Sequence, residues 1–323
     1  ADIIKNTQNK KTLQQAVLHL AKIFEKLVIS DIYNLPITSN ILENELLDSK
    51  FLKVNDINSK FLSKAIAIYD SLRINSSDNE STYYLAEIKY RILGDLDGAE
   101  LLYNNIIKNP SLKFETDAKN RMIDIQISKG NLEKAMLTIN KLNANNDYFA
   151  FKKMQILFYE HQFDKLKTES NILLKKNNKD NKYYNDMLKI ANNIMLFYDN
   201  DEALKKYATA MFKLYQNKRI ESIDILKTIN NNLNGQIVDK INFEIAYLQL
   251  LQGNITESID FLNQIDSNNS AYIESSILLK AEIHDYILND KSKAVELYLF
   301  FIDTFPNSIH YDAIRIRLRD LAS

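Results

Sequence analysis

The feature that most constrains this chain is a helical hairpin, which the stretch 81–110 predicts. Two runs with apolar residues at helical spacing flank a short polar corner that begins at Gly94. The second run carries a small residue, Ala99, where the two helices must approach closely. Pro110 ends this run, because proline cannot donate a hydrogen bond to a continuing helix. Since one hairpin cannot bury its apolar faces alone, it is expected to stack on similar neighbours.

The corner pattern 94–99 recurs along the chain. Its closest copy is 130–135, which matches position for position, 36 residues further on. Other copies begin at His161, Gly253 and Asn289, and a weaker one begins at Lys218. The interval from His161 to Lys218 is too long for one unit and leaves room for an extra helix, which 181–198 supplies. Periods of this kind, with two helices per unit, are typical of helical solenoids.

These patterns resemble a tetratricopeptide repeat (TPR) protein over 80–323, with a poorer extension back to about residue 57. The matching residues are Tyr83, Tyr90, Gly94, Gly130, Gly253, Ala99, Ala135, Ser258, Ala294, Pro110 and Pro306. Leu166 and Ile223 depart from the family pattern, since a small residue is usual there. The resemblance implies an all-α, right-handed superhelix of about six hairpins. It divides the chain into an N-terminal helical segment (1–56), a first array (57–176), and an extra helix with a second array and a capping helix (177–323).

Composition and motifs narrow the range of functions. With 41 Lys and Arg against 42 Asp and Glu, the chain has no general attraction to nucleic acid or anionic membranes. It has 5 glycines, too few for Gly-rich phosphate loops, and no cysteine for a thiolate metal site or thiol nucleophile. None of its 4 histidines has the spacing of a zinc helix, and G-x-S-x-G does not occur. The sequence therefore predicts no catalytic residue, metal site, cofactor or enzymatic activity.

The predicted function is protein binding. In the family that the chain resembles, a partner protein or peptide lies against the concave wall made by the first helix of each hairpin. The residues predicted to line this groove are Tyr84, Ile88, Arg91, Asp124, Phe151, Lys152, Gln155, Lys205, Phe212, Phe243 and Tyr247. For the aromatic members, packing in the core is the alternative interpretation. The lysine and asparagine clamp with which some family members hold a peptide carboxylate is not evident.

The last repeat carries the signal for location. Residues 294–308, followed by a helix with Arg315, are similar to the closing unit of bacterial envelope TPR proteins of the barrel-assembly lipoprotein and Tol–Pal-associated types. The similarity implies a periplasmic or envelope scaffold in assembly or secretion, with the cytoplasm as the alternative. No apolar run approaches the ~18 residues of a membrane span, and residues 1–5 lack a signal-peptide pattern.

The predicted location has one consequence for membrane association, and two other functions compete with the predicted one. Any membrane association is expected to be peripheral, through a partner or a removed lipid anchor. The competing functions are a permanently assembled structural subunit of a large complex and an enzyme. An exposed apolar patch would favour the subunit, and a convergent pocket of perturbed carboxylates would favour the enzyme.

Overall fold

The computed structural model describes residues 9–28, 35–38, 59–76, 79–108, 114–142, 146–175, 181–229, 233, 235–266 and 270–322. Regular structure in these residues is helical, with sixteen α-helices and no strand. The predicted all-α class is therefore confirmed. Pro110, which is predicted to end the second helical run of 81–110, lies outside the described residues.

The chain forms two compact units. Unit 1 comprises 1–32, 49–160 and 171–185, and unit 2 comprises 33–48, 161–170 and 186–323. The described helices of unit 1 are α1 (Lys10–Val28), α2 (Ser59–Ser76), α3 (Asn79–Ile88), α4 (Leu96–Lys108), α5 (Glu115–Ser128), α6 (Leu132–Leu142) and α7 (Asp147–Tyr159). Helices α8 (Phe163–Lys175) and α9 (Tyr184–Leu196) contribute residues to both units. The boundary predicted after residue 176 stays a prediction, because 176–180 lie outside the described residues.

Unit 2 continues the same pattern of paired helices. Its helices are α10 (Asp201–Tyr215), α11 (Arg219–Lys227), α12 (Gly235–Gln252), α13 (Ile255–Leu262), α14 (Tyr272–Glu282), α15 (Lys291–Thr304) and α16 (Tyr311–Ala322). Within each unit, every helix packs on the next one in sequence, from α1 to α7 and from α10 to α16. In unit 2, α12 also contacts α14, the first helix of the following hairpin. Each helix thus buries its apolar face against its sequence neighbours.

Six hairpin corners each contain one residue with a left-handed backbone conformation. These residues are Gly94, Gly130, His161, Asn217, Gly253 and Asn289, with φ between 54° and 86°. Glycine takes this conformation without a steric penalty, and asparagine tolerates it better than most residues. The turn then closes with a Schellman hydrogen bond, as from Asn131 N–H to the Gln126 carbonyl (2.8 Å) and from Asn254 N–H to the Gln249 carbonyl (3.0 Å).

The prediction that the weak repeat begins at Lys218 was wrong by one residue. Asn217 has the left-handed conformation, and the interval from Asn217 to Gly253 equals that from Gly253 to Asn289. Ser222, not Ile223, then lies five residues after the corner. Ser222 is fully buried, as are the residues at this position in the other hairpins: Ala99, Ala135, Leu166, Ser258 and Ala294. Among these six described hairpins, the one with Leu166 has a large residue at this position, and the others have alanine or serine.

This register predicts a steep size dependence at Ser222. Ser222→Leu is expected to destabilise the protein by about 1–3 kcal/mol, because overpacking a close contact forces strained side chains or backbone shifts. Urea unfolding followed by circular dichroism measures the change. Ser222→Ala is the control, since it reproduces the residue found at Ala99 and Ala135. Equal stabilities for the two variants would contradict the assigned register.

Two hairpins carry a π-helical extension at the end of their first helix. Lys89–Leu93 extends α3 and Ile283–Ile287 extends α14. The closing hydrogen bond accordingly spans one more residue, from Asp95 N–H to the Lys89 carbonyl (2.8 Å) in the first case. A π-turn inserts one residue into the helix. Residues before these corners are therefore displaced by one position relative to the other hairpins.

Candidate interaction surface

A ladder of charged side chains links the first helices of three successive hairpins in unit 1. Arg121 on α5 donates to both carboxylate oxygens of Glu87 on α3, at 2.7 and 3.0 Å, and to Asp124 Oδ2 at 3.0 Å. Lys152 Nζ on α7 lies 3.1 Å from Asp124 Oδ1 and donates to Gln155 Oε1 at 2.9 Å. These five residues are called the charge ladder. Each of its two cations, Arg121 and Lys152, contacts a carboxylate of the preceding hairpin.

The charge ladder follows the repeat. Arg121 and Lys152 both lie nine residues before their corners, and Asp124 and Gln155 both lie six residues before them. Glu87 lies seven residues before Gly94, which is the equivalent place once the π-helical residue is allowed for. The same side chains meet in successive hairpins because the helices carrying them repeat the same geometry.

Tyrosine hydroxyls complete the charge ladder. Tyr103 donates to Glu87 Oε1 at 2.5 Å, and Tyr148 donates to Asp124 Oδ1 at 2.6 Å. Burial raises the pKa of both tyrosines, and the adjacent carboxylates raise it further, so both remain donors. Burial opposes the charged form of Arg121, but Glu87 and Asp124 outweigh it and raise the arginine pKa above its ordinary value. Each carboxylate thus accepts hydrogen bonds from both Arg121 and a tyrosine hydroxyl.

Most of the charge ladder is shielded from solvent. Asp124 and Gln155 are fully buried and Lys152 is 1% exposed, so these predicted groove residues offer almost no surface to a partner. Asp124 and Lys152 link α5 to α7, whereas Gln155 binds Lys152 within α7. Arg121 keeps 26% of its side-chain surface exposed. Arg91 keeps 36%, and its Nη1 lies 3.9 Å from Glu87 Oε2. Arg121 of the charge ladder and Arg91 beside it therefore form an accessible pair of arginines next to Glu87.

The other predicted groove residues of unit 1 are mainly packing residues. Ile88 is fully buried. Tyr84 is partly buried and stacks on Tyr69, with ring centroids 5.7 Å apart. Phe151 is buried and stacks on Tyr183 at 5.5 Å. Tyr84 retains some accessible surface near Arg91 in sequence, whereas Ile88 and Phe151 offer almost none.

The predicted groove residues of unit 2 divide in the same way. Lys205 is exposed, and Phe212 and Tyr247 are partly buried. Phe243 is fully buried in an apolar cluster, against which Tyr247 packs. The same cluster contains Leu35, from a segment far away in sequence. The predicted residues around α12 are thus next to a stretch of the chain's own N-terminal part.

Unit 2 also holds buried carboxylates with tyrosine and basic partners. Asp285 accepts two hydrogen bonds from Arg317, both 2.7 Å, and one from the Tyr298 hydroxyl at 3.1 Å. Glu244 accepts the Tyr207 hydroxyl at 2.7 Å and lies 2.8 Å from Lys240 Nζ. These sets join first helices to neighbouring elements, as the charge ladder does in unit 1.

Sequence reasoning missed Glu87, Arg121 and Tyr148, all of which hold other residues in place. A usable signal was present, because a cation nine residues and a polar residue six residues before the corner recur in consecutive repeats. The π-helical extension places Glu87 seven residues before its corner instead of six, so the recurring pattern did not include it. Periodicity alone could not reveal that extension.

No protein-family model matches this sequence, and no curated protein matches it at a significant level. Among the described residues, none of the helices has both the length and the apolar character that crossing a bilayer requires. In the same part of the chain, no three His, Asp or Glu side chains are grouped so that they could hold a metal ion.

Proposed function

We propose that this protein is a non-catalytic scaffold that binds a partner protein or peptide along the wall formed by the first helices of its hairpins. The observation that carries the proposal is the repeated hairpin: left-handed corners at regular intervals, a buried residue five positions later, and packing of each helix on the next. A row of such first helices offers a continuous surface to an extended peptide or a partner helix.

The proposed architecture is a right-handed TPR superhelix. Its support is the hairpin period, the small residue at the close helix contact, and the internal links between first helices such as α3, α5 and α7. The resemblance of the last repeat to closing units of bacterial envelope proteins supports a place in the periplasm or cell envelope, in assembly or secretion. Helix α16 packs on α15 and would cover the apolar face of that hairpin, as a capping helix does.

The accessible arginine pair indicates where a partner's acidic group would bind. Arg91→Glu is expected to weaken the affinity for a recovered partner by about tenfold or more, because reversing a charge at an interface replaces attraction with repulsion. Lys152 is unsuitable for this test, since it is 1% exposed and pairs with Asp124. The measurement is isothermal titration calorimetry with that partner.

Lys134→Glu is the matched control, because Lys134 is exposed on α6, the second helix of its hairpin. Equal effects of the two reversals would contradict binding on the first-helix wall. The partner itself comes from affinity purification out of the native source with mass spectrometry. A partner that never dissociates, with insolubility of the isolated chain, would favour the structural subunit. Recovery of no partner, with turnover in a metabolite screen, would favour an enzyme.

A further inference from the structure

A short N-terminal segment, Leu35–Thr38, lies on the helices of unit 2. Leu35 and Thr38 are buried, Ile37 is partly buried, and Pro36 is exposed. Pro36 and Ile37 form a turn. The segment contacts residues more than two hundred positions away, so its place is decided by tertiary contacts. It occupies unit 2 in the way that a bound peptide would.

Glu282, the last residue of α14, holds the backbone of this segment. Its Oε1 accepts the Ile37 N–H at 2.8 Å, and its Oε2 accepts the Thr38 N–H at 2.8 Å and the Thr38 hydroxyl at 2.5 Å. Glu282 is itself fully buried. Pro36 has no N–H and a restricted φ, which favours a turn that presents the next two donors together. Three donors of the segment thus converge on the two oxygens of one buried carboxylate.

Two apolar anchors flank this backbone clamp. Leu35 belongs to a buried cluster with Phe243 of α12 and with Leu279 and Ile283 of α14 and its extension. Ile37 packs against a second cluster, which includes Ile277 and Tyr298. Both α12 and α14 are first helices of their hairpins. The segment therefore lies against the kind of helix on which the proposed function puts the partner.

We propose that Leu35–Thr38 is a resident occupant of a peptide site on α12 and α14, and that a partner protein binds there by presenting a turn of the Leu-Pro-Ile-Thr type. The inference rests on the proposed function and adds a recognition rule and a form of regulation. The rule is an apolar anchor, a proline, a second apolar anchor and a hydroxyl residue. Regulation follows because a tethered segment has a high effective concentration, so it lowers the partner's apparent affinity until it leaves.

The test uses a fluorescein-labelled peptide of residues 33–40, Tyr-Asn-Leu-Pro-Ile-Thr-Ser-Asn. The full chain with Leu35→Ser and Ile37→Ser empties the site but keeps Glu282. Fluorescence anisotropy is expected to show saturable binding to this double variant and binding at least about tenfold weaker to the wild type. Adding Glu282→Gln to the double variant should weaken binding by about tenfold. The control peptide carries N-methyl groups at Ile37 and Thr38, which remove both donors, and should not bind.

A double variant that keeps its helical circular dichroism but binds no peptide would overturn the proposal and make the segment a structural strap. If the double variant does not fold, amide exchange of Ile37 and Thr38 in the wild type decides. Exchange faster than in α14 supports a segment that leaves, whereas exchange only on global unfolding overturns it. A wild type that forms dimers, with a double variant that does not, would assign the site to a second copy and also overturn it.

Failure here is distinguishable from failure of the proposed function. If the peptide does not bind, but purification still recovers a partner whose affinity is weakened by Arg91→Glu, only the assignment of this site is wrong. If purification recovers no partner at all, the scaffold function falls with it.

Discussion

Asp124→Ala is expected to destabilise the protein by about 3–5 kcal/mol, because removing one member of a buried ion pair leaves the other charge uncompensated. The Lys152 ammonium lies 3.1 Å from Asp124 Oδ1 and is 1% exposed. Arg121 loses a hydrogen bond in the same variant, whereas Tyr148 keeps the Asn120 carbonyl as an acceptor at 3.0 Å. Urea unfolding followed by tyrosine fluorescence and circular dichroism measures the loss.

Two further variants separate the charge effect from general damage. Glu115→Ala breaks the partly exposed Lys119–Glu115 pair of the same helix and should change the free energy of unfolding by less than about 1 kcal/mol. Adding Lys152→Met to Asp124→Ala should recover part of the loss, since the unpaired cation is then gone. If Asp124→Ala costs no more than Glu115→Ala, the charge ladder does not hold α5 and α7 together.

Arg317→Ala is expected to release helix α16 and to destabilise the protein by about 2–3 kcal/mol, because it leaves the buried Asp285 carboxylate without its bidentate partner. The Tyr298 hydroxyl, at 3.1 Å, remains as a donor. The value lies below that for Asp124→Ala because Arg317 keeps 28% of its side chain exposed. Hydrogen exchange should show early loss of protection in α16, whose residue Ile314 is buried in a cluster with Tyr298.

Arg319→Ala is the matched control, since Arg319 is an exposed arginine of the same helix. It should leave both stability and the protection of α16 nearly unchanged. Arg317→Lys should fall between the two, because lysine keeps the charge but cannot form the bidentate pair. Equal behaviour of Arg317→Ala and Arg319→Ala would contradict a role of the Asp285 pair in docking the last helix.

The helices themselves were largely predictable. The hairpin predicted within 81–110 is formed by α3, its extension and α4, with the corner at Gly94. The extra helix predicted at 181–198 is α9 (Tyr184–Leu196). Apolar periodicity is a local property of the chain, so a single segment carries it. Corners with glycine were equally clear, because Gly94, Gly130 and Gly253 are the residues that the left-handed turn favours.

The candidate site was predictable only in part. The face of the first helices led to Asp124, Lys152 and Gln155, which the structure brings together, but not to Glu87 or Arg121, which complete the set. All three are buried, whereas a residue that lines a groove must be accessible to a partner. A residue that faces a neighbouring helix and a residue that faces a partner can occupy the same position on a helical wheel. Only the packing of the next hairpin decides which of the two contacts is made.

The sequence by itself determined the helical class, the hairpin units and most of their corners, because spacing and turn chemistry act within a few residues of one another. The tertiary structure alone decided the position of the corner at Asn217, the pairing of Lys152 with Asp124, and the hydrogen bonding of Leu35–Thr38 to Glu282. Those contacts depend on which helix faces which, and in the last case they join residues 244 positions apart. No local pattern encodes such a distance, since it is set by the way successive hairpins stack.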